Sequence, residues 1–198
     1  MLARLKQWMQ GGAAEGDAPG PGRGDAAQLN ILMVCSGNIC RSPTAEAVLR
    51  TKLRRAGLAG VRVDSAGTHG YHLSEAPDAR AQAAALRRGY DLSRQRARPV
   101  HEADFAQFQW LLAMDQSHLA WLQKRSSLGQ LQAQPEVQAI SGPKQVRLLM
   151  QHAHRFQDVS EVPDPYYGGP EGFERVLDLV EDACEGLVQL IAHQQVVK

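Results

Sequence analysis

Four consecutive apolar residues, Ile31-Leu32-Met33-Val34, run directly into Cys35-Ser36-Gly37-Asn38-Ile39-Cys40-Arg41-Ser42-Pro43. A short apolar run bounded by turn-forming sequence reads as a strand buried on both faces. Ser42-Pro43 then reads as a helix start, with Ser suited to the N-cap and Pro to the first helical position. That helix is expected to reach about Arg55, with Gly57 and Gly60 ending it. A glycine-containing turn from a strand into a helix aims loop N–H groups and the positive helix end at one spot. Such a spot suits an anion.

The rest of the chain repeats the alternation. Val61-Arg62-Val63 reads as a second strand, followed by Asp64-Ser65-Ala66-Gly67, and Ala79–Arg88 as a helix closed by Gly89. Trp110–Met114 reads as a third strand. Helical patterns are expected at Ser117–Lys124 and Lys144–Phe156, and a weak strand near Asp158–Val162. Gly172–Ala192 carries Phe173, Val176, Leu177, Val180, Leu187 and Ile191 at helical period, a closing helix with one apolar face. Strands alternating with helices predict an α/β fold, a parallel sheet covered on both faces. In such folds the site lies beyond the carboxyl ends of the strands, which places it at Cys35.

The chain has 198 residues, 43% of them hydrophobic, enough for one domain with a real core. A net charge of +1 and 6% aromatic residues carry no nucleic-acid or membrane signature, and no apolar run is long enough to span a bilayer. The opening MLARLKQWMQ is too polar for a secretion signal. Residues 11–28 hold six glycines and two prolines, too little apolar surface to offset ordering entropy. Residues 1–28 are therefore expected to be a mobile extension, and 29–198 the folded domain. Three cysteines do not make a disulfide framework, so the protein is read as reduced and cytoplasmic.

Within the loop, Cys35-x5-Arg41 joins a nucleophile to a planar fork that matches two phosphate oxygens. The glycine spacing and lysine of a nucleotide-binding loop are absent. A phosphate held in the loop presents its phosphorus to Cys35. The chemistry needs a thiolate, and helix N-termini and nearby cations favour one. Ser42 can donate to it and stabilise it as a leaving group. The ester oxygen that departs needs a proton. Val162-Pro163-Asp164-Pro165-Tyr166-Tyr167-Gly168-Gly169-Pro170 offers a carboxyl on a stiffened loop, with two tyrosines to wall a flat substrate. Cys40 either packs or traps Cys35 as a disulfide under oxidant. Cys184 is expected in the core. Asp115, after the third strand, is expected to fix backbone. Arg87, Arg88, Arg94, Arg96 and Arg98 read as a solvated basic face, and His152 and His154 as a poor metal pair.

VCSGNICRSPTAEAVLR together with DPYYGG, with DSAGT at Asp64–Thr68 and LLAMD at Leu111–Asp115 between them, resembles the low-molecular-weight protein tyrosine phosphatase family from about Asn30 to His193. The resemblance implies a four-stranded parallel sheet with helices on both faces, a Rossmann-like three-layer sandwich, and no cofactor or metal. It implies Cys35 as nucleophile, Arg41 as phosphate and transition-state ligand, and Asp164 as general acid and then base. Ser36, Gly37, Asn38, Ile39, Cys40, Arg41 and Ser42 form the phosphate loop. Asn38, Ser42 and Ser65 support it, and Tyr71, Tyr166 and Tyr167 line the substrate mouth. Gln95 stands where many members have a histidine touching the loop asparagine, and is expected to make that hydrogen bond. The implied partners are phosphotyrosine proteins, a tyrosine kinase among the possibilities. Phosphoarginine hydrolysis is the alternative; that group has threonine at the position of Ile39. Arsenate reduction ranks lower, because only Cys184 lies beyond the loop.

Overall fold

The computed structural model describes residues 29–132 and 144–196, so the expected extension 1–28 lies outside the described residues. Strand β1 (Leu29–Cys35) is central. It pairs in parallel with β2 (Val61–Gly67) on one side and β3 (Trp110–Ala113) on the other, and β4 (Gln145–Leu148) pairs in parallel with β3. The order is β2-β1-β3-β4. The helices are α1 (Arg41–Arg55), α2 (Ala79–Arg87), α3 (Asp104–Gln107), α4 (Gln116–Gln132) and α5 (Pro170–Val196).

The apolar run of β1 is explained by two cores. Side chains alternate across a strand. Ile31 and Met33 face a core built with Val48, Leu49, Leu177 and Val180 of α1 and α5. Leu32 and Val34 face a second core with Phe105, Phe108 and Leu122. From β1 the chain moves outward to β2, then crosses back to β3. The strand order therefore reverses between β1 and β3, and a crevice opens at their carboxyl ends. Cys35 ends β1, and Asp115 lies two residues beyond the end of β3.

Three local expectations are corrected. Ser42 is not the N-cap: Cys40 takes that position with no side-chain cap bond, and Ser42 and Pro43 lie inside the first turn. The hydroxyl of Ser42 is thereby released from capping. Lys144–Phe156 is not a helix but β4 followed by a 3₁₀ turn at Leu149–His152. The expected strand at Asp158–Val162 is loop, fastened to the sheet by Val162 N–H donating to the Met114 carbonyl at 2.8 Å. The predicted apolar face of α5 is buried throughout, and Cys184 lies with it.

The arginine cluster is also corrected in part. Arg88 is gripped by Glu174, Asp178 and Glu181 of α5, and Arg98 by Asp64 and Asp104. These two cations brace helices and strand rather than facing solvent. Among the described residues no helix is long and apolar enough to cross a membrane.

Candidate active site

The loop from Ser36 to Cys40 leaves β1 and enters α1 with Cys35 at its start, only 3% exposed. The Cys35 Sγ lies 3.0 Å from Ser42 Oγ and accepts the Asn38 backbone N–H at 3.3 Å. Asn38 has φ 58°, the left-handed region that asparagine enters more readily than most residues. Its amide is fully used. Nδ2 donates to Ser42 Oγ and Ser65 Oγ, both at 2.9 Å, and Oδ1 accepts the Arg98 N–H at 3.0 Å.

The proton directions follow. Ser65 donates its own hydroxyl to buried Glu46 at 2.7 Å, so it accepts from Asn38. Ser42 also accepts from Asn38, so its own O–H has two acceptors in reach, the Cys35 sulfur at 3.0 Å and, farther off, the Ala66 carbonyl at 3.4 Å. A thiolate there meets two donors. Glu46 anchors the chain, although burial raises its pKa. Gly67 of β2 is required by space. A Cβ there would fall 2.5 Å from the Ser36 carbonyl oxygen and 3.2 Å from Asn38 N, against loop backbone that cannot give way.

Arg41, whose guanidinium is the expected phosphate fork, is buried in the first turn of α1. Its Nη1 donates to Asp115 Oδ2 at 2.8 Å, and its Nη2 to Asp164 Oδ2 at 2.7 Å. Asp164 stands on the loop fastened by Val162, half exposed, with its Oδ1 accepting the Tyr166 N–H. The thiol and the guanidinium come from one loop and the carboxyl from a stretch 123 residues on, and they meet at the β1/β3 crevice. Asp115 does more than the backbone role expected of it. Burial opposes its ionisation, yet donors from His118 and Ser117 hold its carboxyl well below the usual carboxylate range.

The expected mouth tyrosines come from two segments, one tied to the loop and one beside Asp164. Tyr71 is exposed and stacks on His69, ring centroids 4.9 Å apart, in a turn hung from the loop by Thr68 N–H to Cys35 O and His69 N–H to Ser36 O. Tyr166 and Tyr167 meet edge to face at 5.0 Å, and Tyr167 is 97% exposed. Such rings can sandwich an aryl group while leaving its phosphate to the loop.

Residues 30–197 match the sequence profile of the low molecular weight phosphotyrosine protein phosphatases. The chain belongs to this family. A low molecular weight protein-tyrosine-phosphatase of Streptomyces coelicolor is 39% identical, over 83% of this chain and 94% of its own. The low molecular weight phosphotyrosine protein phosphatase of Homo sapiens is 35% identical, over 83% and 97%. A crystal structure of a protein tyrosine phosphatase from Entamoeba histolytica, with Hepes in its active site, superimposes with a TM-score of 0.72 at 34% identity, covering 85% of this chain and 99% of that one.

Against that family background, Gln95 departs from its expected contact. Its Nε2 donates to the Pro43 carbonyl at 3.0 Å, and the Asn38 oxygen is already taken by Arg98 N–H. It thus braces the first turn of α1 and not Asn38. Cys40 is buried, and burial together with the negative charge of Asp78 pushes its thiol up to about 12. Reading the sequence alone missed Glu46, the grip of Asp115 on Arg41, and His118. The acidic residue after an apolar strand was the only visible signal for any of them. Among the described residues no three His, Cys, Asp or Glu side chains gather in a metal-binding group.

Proposed function

We propose that this member of the family hydrolyses phosphotyrosine in proteins, and small aryl phosphates, through a phosphocysteine intermediate on Cys35. The Arg41–Asp164 contact of 2.7 Å carries the reading, because it brings a carboxyl 123 residues distant to the loop that holds the thiol. The phosphoryl group sits on the loop N–H groups, with its oxygens on the Nε–Nη2 edge of Arg41 while Asp115 keeps Nη1. Cys35 sulfur attacks phosphorus as the phenol oxygen leaves and takes a proton from Asp164. The Asp164 carboxylate then takes a proton from water, whose oxygen attacks phosphorus and releases the Cys35 thiolate. Ser42 donates to the sulfur in both steps.

The finer assignments extend this reading. Tyr71, Tyr166 and Tyr167 hold the aryl group. A tyrosine kinase is one protein substrate that fits the chemistry. The reducing cytoplasm keeps the nucleophile usable. The catalytic domain begins at residue 29. Cys40, five residues along the same loop, is the candidate to resolve an oxidised Cys35, although a thiol held neutral does so slowly.

Acid quench during turnover should trap phosphate on Cys35 alone, and Cys35→Ser should abolish turnover while still binding phosphate. A panel of phosphotyrosine, phosphoserine and phosphoarginine peptides tests the substrate class. Phosphate trapped on another residue, or turnover of phosphoserine or phosphoarginine equal to that of phosphotyrosine, overturns the reading.

A further inference from the structure

A buried histidine sits beside the phosphate fork without a place in the chemistry above. His118, near the start of α4, is 2% exposed. Its Nε2 lies 2.8 Å from Ser36 Oγ, and its Nδ1 lies 2.9 Å from Asp115 Oδ1, close but off the line of a hydrogen bond. Its backbone N–H donates to the same Asp115 oxygen at 3.0 Å. The other oxygen of Asp115 holds Arg41 Nη1, and Arg41 Nη2 reaches Ser36 Oγ at 3.4 Å. Four side chains, from α1 and α4 and from the connections that follow β1 and β3, thus close a ring: Arg41, Asp115, His118, Ser36.

We propose that His118 is a positioning residue for phosphate binding, which closes this ring and thereby fixes the edge that Arg41 presents to the substrate. The proposal rests on the phosphatase reading. Its proton logic is directional. A carboxylate facing Nδ1 places the ring proton there, so Nε2 accepts. Ser36 then donates its hydroxyl to Nε2, and its lone pairs face the Nη2 hydrogen of Arg41. Nη1 is tied to Asp115, and of the two Nη2 hydrogens one goes to Asp164 and the other is steered by a serine oxygen, so the guanidinium plane is set before phosphate arrives. A fork that is already oriented loses less freedom on binding. The weak 3.4 Å contact suits this role, because the phosphate must take Nη2 over from it.

The test uses the full chain with four variants: Ser36→Ala, His118→Ala, His118→Gln and the double Ser36→Ala/His118→Ala. Inorganic phosphate affinity is measured by calorimetry, and KM and kcat with p-nitrophenyl phosphate. Each alanine variant should weaken phosphate binding and raise KM by about five- to tenfold, the effect of one lost hydrogen bond. The double variant should be no worse than the worse single, since both cut one ring. His118→Gln offers an amide near the Nε2 position and should return to within about threefold of wild type. Multiplicative losses in the double variant overturn the proposal. So does wild-type phosphate affinity in Ser36→Ala, a loop change that leaves the core untouched, or a folded His118→Gln as weak as His118→Ala. Failure of the phosphatase reading would show separately, as a wild-type protein that binds phosphate but does not turn over aryl esters.

Discussion

Asp164 and Cys40 show how much a single side chain's surroundings decide. Asp164→Asn keeps size and the Pro-flanked turn but removes the proton. The expected loss is roughly 10²–10⁴-fold, and it should depend on the leaving group. A phenol of high pKa needs the proton, so phosphotyrosine should suffer most and strongly acidic phenols least. An equal defect for all leaving groups, in a series of substituted aryl phosphates, would make Asp164 a structural loop residue. Cys40 shares a loop with Cys35, yet its thiol is pushed up to about 12, and burial likewise raises Cys184. In the native protein at neutral pH neither should react with iodoacetamide, and both should label on unfolding. Mass mapping that finds Cys40 alkylated at the rate of a free thiol would contradict the burial described for it.

The elements around β4 show where periodicity misleads. Val146, Leu149, Met150 and Ala153 fall at helical spacing, which is why Lys144–Phe156 reads as a helix. In the fold, β3 would otherwise be an unpaired edge, and Gln145–Leu148 pairs with it. The 3₁₀ turn that follows, at Leu149–His152, then packs on α5. Contact is tight: a Cβ at Gly186 of α5 would lie 2.0 Å from the His152 carbonyl oxygen. Gly186→Ala should therefore destabilise by about 1–3 kcal/mol through overpacking, despite alanine's better helix propensity. The kcat of the folded fraction should hold, because His152, where the contact falls, stacks on Trp110 at the end of β3 opposite the Cys35 loop. Urea unfolding and kinetics at low temperature measure both. An unchanged midpoint would mean that α5 shifts freely against the turn.

Across the whole molecule, stability should carry a signature of His152. It stacks on Trp110 with ring centroids 6.4 Å apart. Burial, with the charge of Arg147, lowers its pKa from 6.5 to about 4. The unfolded chain takes up the proton first as pH falls. The stabilisation is therefore present above about 6.5 and is lost progressively as pH drops toward 4. His152→Phe keeps the ring stack and removes the titration. Between these pH values the variant should lose less stability than wild type, while acid effects on the carboxylates stay common to both. Parallel urea midpoints over that range would exclude His152 as the source.

Much of this protein was legible without coordinates because its information is local. Strand, loop and helix at 31–55 are adjacent in sequence, so the candidate nucleophile, the candidate fork and the strand-to-helix turn between them could be picked out from spacing and backbone propensity. The same holds for the α5 stripe and for the proline-flanked Asp164. What only the tertiary structure decided was which distant groups meet. Asn38 finds Ser65, Ser65 finds Glu46, Arg98 displaces Gln95 from Asn38, and Asp115 with His118 encloses Arg41. Those pairings depend on the strand order β2-β1-β3-β4, which brings the ends of β1 and β3 side by side. Hydrogen bonds act over about 3 Å and leave no periodic trace along the chain, whereas apolar burial repeats with each strand and helix.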